Sequence, residues 1–184
     1  MARTPTTIIP LGFKAPDFNL PNVVTGEMNN LLDCSGTCAT VVVFMCNHCP
    51  FVIHILEEMV AVAKEFEPKG INFIAISSND VVNYPDDSPK KMKELAMSSG
   101  FPFPYLYDES QDIAKSYSAA CTPDFSVFDK QLLCVYRGQF DDARPGNDMP
   151  VTGSDLRRVL HCIADSSPLD FEQVPSLGCN IKWK

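Results

Sequence analysis

The chain has 184 residues, 45% hydrophobic and 21% charged, with a formal net charge of -8 at pH 7. That length holds one ordinary domain with a substantial core, and the balance is that of a soluble globular protein. An acidic balance with no basic cluster argues against nucleic acid, and no apolar run approaches the roughly 20 residues a spanning helix needs, which argues against a membrane protein.

Residues 1–16 carry Arg3 and a short apolar patch of Ile8, Ile9 and Leu11 broken by Pro10. The patch is too short for a secretory signal, so a reducing cytoplasm is expected. There, close pairs among the eight cysteines read as catalytic or metal-binding rather than as a disulfide framework. Residues 14–32 predict two short extended pieces around a turn at Gly26, an edge hairpin leading into the core. Residues 40–45 are an unbroken β-rich run, the pattern of a central strand buried on both faces.

A helix is predicted from about 49 to 67, with Phe51, Ile55, Met59, Val62 and Phe66 on one stripe and His54, Glu57, Glu58, Ala61, Lys64 and Glu65 opposite. It stops before Pro68-Lys69-Gly70, and a strand over 71–77 completes a βαβ unit with a right-handed crossover. Ser88-Pro89 reads as an N-cap with proline at the first helical position, opening a helix that Ser99-Gly100 closes. An extended piece over 101–107, a short helix over 110–119 and a hairpin of strands 124–128 and 132–136 follow, its turn lacking the favoured glycine. Residues 139–151 predict a long loop. Thr152 with Asp155 suggests a capping box for a last helix with Leu156, Val159, Leu160 and Ile163 inward, and the tail from about 166 is expected to be irregular. The order of elements is α/β, in a single domain over 1–184.

Cys46 ends the central apolar run and Cys49 opens the helix after it. Two thiols therefore meet where a strand passes to a helix N-terminus, whose unpaired N–H groups and positive dipole end favour a thiolate. This is the pattern of a redox site.

These residues carry a resemblance. Cys46-Asn47-His48-Cys49 after a central strand, Thr122-Pro123 before a hairpin and a closing helix resemble the thioredoxin-like fold over nearly the whole chain. Ala15-Pro16-Asp17-Phe18 is similar to the start of the alkyl hydroperoxide reductase and thiol-specific antioxidant family. Phe44-Met45-Cys46-Asn47-His48-Cys49-Pro50-Phe51, the stretch from Tyr136-Arg137 through Asp141-Asp142-Ala143-Arg144-Pro145-Gly146-Asn147, and Gly178-Cys179-Asn180-Ile181-Lys182-Trp183-Lys184 resemble a peroxiredoxin-like subgroup of it.

The resemblance implies a central mixed sheet flanked by helices, with an N-terminal hairpin and a C-terminal tail. It further implies a Cys46–Cys49 redox disulfide as the working group, with no other cofactor and no metal. Cys46 would be the exposed nucleophile and Cys49 the resolving thiol, exchanging with protein or small-molecule disulfides and thiols through a mixed disulfide. His48 resembles the residue at this place in protein disulfide isomerases, where an imidazolium favours the thiolate and makes the couple more oxidising than thioredoxin. Pro123 is similar to the family's cis-proline, whose loop offers backbone groups to an extended substrate.

Arg144, on the loop expected to rim the site, is a candidate for steadying a thiolate or an acidic substrate group, and Asp141 and Asp142 for relaying protons; a solvated loop is the other reading. Cys121 and Cys179 are candidate further redox thiols, Cys121 alternatively a small buried hydrophobe. Cys34, Cys38, Cys134 and Cys162 are expected to fill core or surface positions, and His54 and His161 to be solvated. A zinc site is disfavoured because no second Cys-x-x-Cys exists.

Two alternatives to thiol-disulfide exchange stay open. One is a peroxidase acting on hydroperoxides, although nothing before Cys46 matches the proline and threonine signature of peroxiredoxins. The other is a metal-binding or delivery module using the Cys46 and Cys49 pair.

Overall fold

Five strands pair in the order β6-β5-β4-β8-β9 in the computed structural model, which describes residues 3–170 and 172–184. At the centre is β4 (Ala39–Phe44), all six residues of which are buried. The run predicted at 40–45 is thus this strand, displaced by one residue. It pairs in parallel with β5 (Ile71–Ser77), which pairs in parallel with β6 (Tyr105–Tyr107). On its other side β8 (Asp124–Asp129) runs antiparallel, followed by β9 (Cys134–Gly138). This is the expected mixed sheet.

Alternation along β4 divides the core. Val41 and Val43 face one layer with Met59, Phe66 and Leu156, whereas Val42 and Phe44 face another with Ile74, Ile76 and Tyr117. Helix α2 (Pro50–Phe66) has no capping side-chain bond and buries Val52, Ile55, Met59, Val60, Val62, Ala63 and Phe66. Each large apolar side chain contributes about 1.5–3 kcal/mol and a cap only about 1, so packing holds this helix in place.

The hairpin near the N-terminus is β2 (Asn19–Pro21) with β3 (Met28–Asn30), turning through Gly26 at φ 80°, and one turn of helix, α1 (Leu31–Cys34), follows it. Helix α3 (Pro89–Ser98) starts at Ser88 as predicted, though the Ser88 side chain caps nothing. The short helix α4 (Asp112–Ser116) covers only part of 110–119. In the β8–β9 turn Asp129 Oδ1 accepts the N–H of Gln131 and Leu133, and Leu132 takes φ 61°. A side chain does what the missing glycine would have done.

Two expectations are corrected. The last helix, α5 (Ser154–Ala164), is capped at Gly153, not by a Thr152 and Asp155 box: Asp141 Oδ2 reaches across the loop and accepts the N–H of both Thr152 and Gly153, at 2.7 Å each. The tail, expected to be irregular, contains strand β10 (Leu177–Asn180), which lies between β1 (Arg3–Pro5) and β7 (Cys121–Thr122) in an antiparallel three-stranded sheet. Four residues without alternation give no strand signal until partners on both sides are known. Among the described residues no helix is long and apolar enough to cross a membrane.

Candidate active site

Cys46 follows β4 by two residues and Cys49 is the N-cap of α2, with Pro50 at the first helical position. The loop between them is held from below by Asp87, which is fully buried. Its Oδ1 accepts the N–H of Asn47 at 2.8 Å and of His48 at 3.3 Å, and its Oδ2 accepts Asn79 Nδ2 at 2.8 Å. A carboxylate from the segment before α3 thus takes up the N–H donors of the two loop residues between the cysteines. Tyr105 donates its hydroxyl to Asn47 Oδ1 at 3.1 Å and fixes the loop from the sheet side.

The two sulfurs hydrogen-bond to each other, and this contact, ahead of burial, pulls Cys49 down and pushes Cys46 up. The proton is thus favoured on Cys46 and the charge on Cys49, and passing the proton from Cys46 to Cys49 moves the charge to Cys46. Cys179 and the Val52 N–H, which donates to the Cys49 carbonyl at 3.0 Å, also pull Cys49 down. Its Sγ lies 3.0 Å from the Thr122 carbonyl, to which only a protonated Cys49 can donate. Thr122 Oγ1, 3.5 Å from Cys46 Sγ, can donate to a Cys46 thiolate. The Thr122 hydroxyl favours a thiolate on either sulfur, its carbonyl favours a protonated Cys49, and Asp87 opposes charge on Cys46.

Burial differs from expectation. Cys46 is 1% exposed and Cys49 0%, so the outer sulfur is covered along with the inner one. The cover is Thr122-Pro123 on one side and the segment carrying Tyr84 and Asp87 on the other, where His48 stacks on Tyr84 with ring centroids 5.6 Å apart. His48 Nδ1 lies 2.7 Å from Asp87 Oδ2 in an ion-pair contact too bent for an aligned hydrogen bond. An imidazolium here has a carboxylate beside it, so its pull on Cys46 is offset.

One donor atom each from Cys46, His48 and Asp87 falls within 4.8 Å of the others, a set of sulfur, nitrogen and oxygen that suits a transition-metal ion. Both Asp87 oxygens already accept N–H groups, so an ion would have to displace some of these bonds.

The Thr122–Pro123 bond is cis. The Thr122 backbone, expected to be offered to a substrate, is instead paired with Cys179 of β10. That approach is close: a Cβ on Gly178 would lie 2.0 Å from the Thr122 carbonyl oxygen. Cys179 is buried and pushed up to about 12 by burial and by its bond to Cys49. Cys121 is buried too, between Thr6 Oγ1 at 3.8 Å and the Pro123 carbonyl at 3.6 Å, and burial with Asp124 pushes it far up. This placement is that of a small buried hydrophobe.

Arg144 does lie beside Pro123, across a small hollow that Phe51 and Leu177 also line. Its donors go to the carbonyls of Asp141 and Ala143 and to Gln139 Oε1, within its own loop. Asp141 accepts the Thr152 and Gly153 N–H groups just before α5, and Asp142 accepts Gln139 Nε2. His54 is not solvated, since its Nε2 is buried without a hydrogen-bond partner, and His161 packs edge-on against Phe66 at 4.9 Å. Of the other cysteines, Cys134 is buried, Cys34 and Cys162 are half-buried and Cys38 is exposed. A cavity of about 640 Å³ is lined by Asn72, Phe73 and Phe103 and includes none of the residues around Cys46.

Asp87 is the functional-site residue that sequence reading missed. It stands in a polar run, Tyr84-Pro85-Asp86-Asp87-Ser88, where a solvated acid is the ordinary expectation. Only its burial beneath the cysteine loop distinguishes it from Asp86.

With the paired sulfurs, the cis proline and the mixed sheet in place, one comparison decides the family: the sequence model of the AhpC/TSA family matches residues 11–137. The chain belongs to the AhpC/TSA family. This AhpC/TSA protein is a thiol-based oxidoreductase of thioredoxin-like fold.

It is 52% identical to an uncharacterized conserved protein from Geobacillus kaustophilus, with a TM-score of 0.98, over 100% of this chain and 97% of that one. It is 42% identical to a hypothetical protein from Sinorhizobium meliloti, with a TM-score of 0.96, over 98% of each. The thioredoxin domain of a thiol-disulfide oxidoreductase from Bacteroides vulgatus is 16% identical, with a TM-score of 0.63 over 83% of this chain and 99% of that one, and is similar in fold alone. No curated protein matches this AhpC/TSA chain significantly.

Proposed function

We propose that Cys46 and Cys49 cycle between dithiol and disulfide, with Cys46 as the attacking sulfur and Cys49 as the resolving thiol. The hydrogen bond between the two sulfurs carries this reading, because it puts the resolving thiol in contact with the sulfur it must reach. Cys49 is enclosed by Thr122, Val52 and Cys179, which leaves Cys46, at the loop, as the sulfur that meets a substrate. In thiol-disulfide exchange, Cys46 passes its proton to Cys49 and attacks a substrate disulfide, releasing one substrate thiolate. Cys49 then gives its proton to the thiolate already released and attacks Cys46 Sγ, breaking the mixed disulfide and releasing the second substrate thiolate. Thr122 Oγ1 steadies the Cys46 thiolate, and Asp87 holds the loop in shape.

A second reading keeps the couple and changes the oxidant to a hydroperoxide. Three observations favour it: the family match, the burial of Cys46 at 1% exposure, and the occupation of the Thr122 backbone by β10, where an extended substrate would pair. A small oxidant reaches a covered sulfur with less opening than a protein disulfide requires. Cys46 would take the terminal oxygen, giving a sulfenic acid and an alcohol or water, and Cys49 would condense with it to the same disulfide and water.

Stopped-flow mixing of the reduced protein with hydrogen peroxide or with a small aromatic disulfide tests both readings. Cys46–Cys49 disulfide formation with either oxidant supports the couple, and the faster oxidant names the substrate class. Turnover that survives Cys46→Ser removes both readings. Turnover that survives Cys49→Ser removes the resolving role.

A further inference from the structure

Three sulfurs, not two, gather around Thr122 at this site, and the third comes from β10. Cys49 Sγ lies 3.0 Å from the Thr122 carbonyl oxygen, Cys46 Sγ lies 3.5 Å from its hydroxyl, and Cys179 is the residue that pairs with Thr122 across the strands. Cys49 and Cys179 also perturb each other's acidity, as Cys49 and Cys46 do. The arrangement is built in: β10 is clamped between β1 and β7, with Arg3 opposite Cys179 on one side and Thr122 on the other. Gly178 leaves no room for a Cβ against the Thr122 carbonyl.

We propose that Cys179 is a second resolving thiol, forming a Cys49–Cys179 disulfide that takes over the oxidising equivalent from Cys46–Cys49 and returns Cys46 to the thiol. The inference rests on the couple proposed above and extends it inward. Cys179 attacks Cys49 Sγ; the Cys46–Cys49 bond breaks as the Cys49–Cys179 bond forms; Cys46 leaves as a thiolate and receives the proton that Cys179 gives up. The exchange transfers no net electrons and needs no added reductant. Cys49, the partner of Cys46 in the couple and the neighbour of Cys179, is the sulfur that this exchange attacks. Burial keeps Cys179 protonated at neutral pH, so Cys46, as a thiolate beside the same pair, is the proton acceptor at hand. The consequence is a nucleophile restored while the protein still carries the disulfide.

The test uses the whole protein, reduced and then treated with one equivalent of diamide, a two-electron thiol oxidant. Remaining thiols are blocked with N-ethylmaleimide in denaturant and the peptides mapped without reduction. The expected result is two isomers, with Cys49–Cys179 and alkylated Cys46 in roughly a tenth or more of the oxidised molecules, a tenfold bias or less. Cys46→Ser should form Cys49–Cys179 with the same equivalent, and Cys179→Ser should give Cys46–Cys49 alone.

Cys46–Cys49 in the wild type without Cys49–Cys179 there or in Cys46→Ser overturns the inference and leaves the couple intact. Pairing of Cys179 with Cys121 instead also overturns it. Cys49–Cys179 without any Cys46–Cys49 sustains the inner disulfide and removes the proposed couple. If the wild type forms neither, both proposals fall. The wild-type map decides even if Cys46→Ser does not fold.

Discussion

Replacing Asp87 with asparagine tests whether the buried carboxylate restrains Cys46. Ligand atoms of Asp87 and Cys46 lie within 4.8 Å of each other. Two unit charges at that separation interact by about 3.5 kcal/mol at an effective dielectric of about 20, or roughly 2.5 pKa units, an upper figure because His48 lies 2.7 Å from the same carboxylate and offsets part of it. Asp87→Asn should therefore lower the pH midpoint of Cys46 alkylation by roughly 1–2 units. The sign follows from the charge: a carboxylate opposes a second anion, so removing it stabilises the thiolate, favours the reduced dithiol and makes the couple more oxidising.

The assay is the rate of iodoacetamide labelling of the Cys46 peptide in reduced protein as a function of pH, beside the reduction potential against glutathione. The substitution also turns an amide N–H₂ toward Asn79 Nδ2, whose Oδ1 is engaged by the Lys182 N–H, at a cost of about 1–3 kcal/mol in stability. Measurements therefore belong well below the unfolding midpoint. An unchanged alkylation midpoint would refute the direct charge effect. A raised one would show that Asp87 acts by keeping His48 charged.

Further outcomes follow from neighbouring contacts. Thr122→Val removes the hydroxyl 3.5 Å from Cys46 Sγ and should slow alkylation of Cys46 at neutral pH several-fold, about the 1 kcal/mol of one hydrogen bond, with the cis bond and β10 pairing unchanged by amide exchange. Gly178→Ala should destabilise the protein by about 3 kcal/mol or more, since the new methyl must push against backbone; urea unfolding measures this, and labelling of Cys179 in the native state should speed up. Arg137 is buried and donates to the carbonyls of Thr7, Tyr117 and Ser118, to Ser126 Oγ and to Asp124. Arg137→Met should therefore cost about 3–5 kcal/mol in unfolding experiments, leaving Asp124 unpaired. Burial raises Asp124 despite Arg137, so the folded protein binds its proton more tightly than the unfolded chain does. Stability should then decline as pH rises from about 3.9 through the raised value, and Asp124→Asn should flatten that slope in urea titrations across the range.

Much of the scaffold could be read from local pattern. The apolar run at 40–45 with no polar interruption can only be a strand covered on both faces, and the helix stripe of Ile55, Met59, Val62 and Phe66 is the buried face of α2. Cys46 and Cys49 could be placed at a strand-to-helix junction because both elements signal themselves within a few residues. Where reading failed, the partner was distant in sequence. Helix α5 starts at Gly153 without a side-chain cap, and the N–H groups of Thr152 and Gly153 just before its first turn go to Asp141 on the preceding loop. His54 gave no sign of a buried ring nitrogen.

The sequence by itself determined that two thiols stand two residues apart at the start of a helix, since spacing and helical periodicity are properties of adjacent residues. Only the tertiary structure decided what surrounds them: Asp87 from the segment before α3, Thr122 from the loop before β8, and Cys179 from the last strand. The reason is physical. Charge, burial and sulfur–sulfur contact depend on distances through space, and the chain sets those only by closing its ends, β1 and β10, onto β7 beside the active pair.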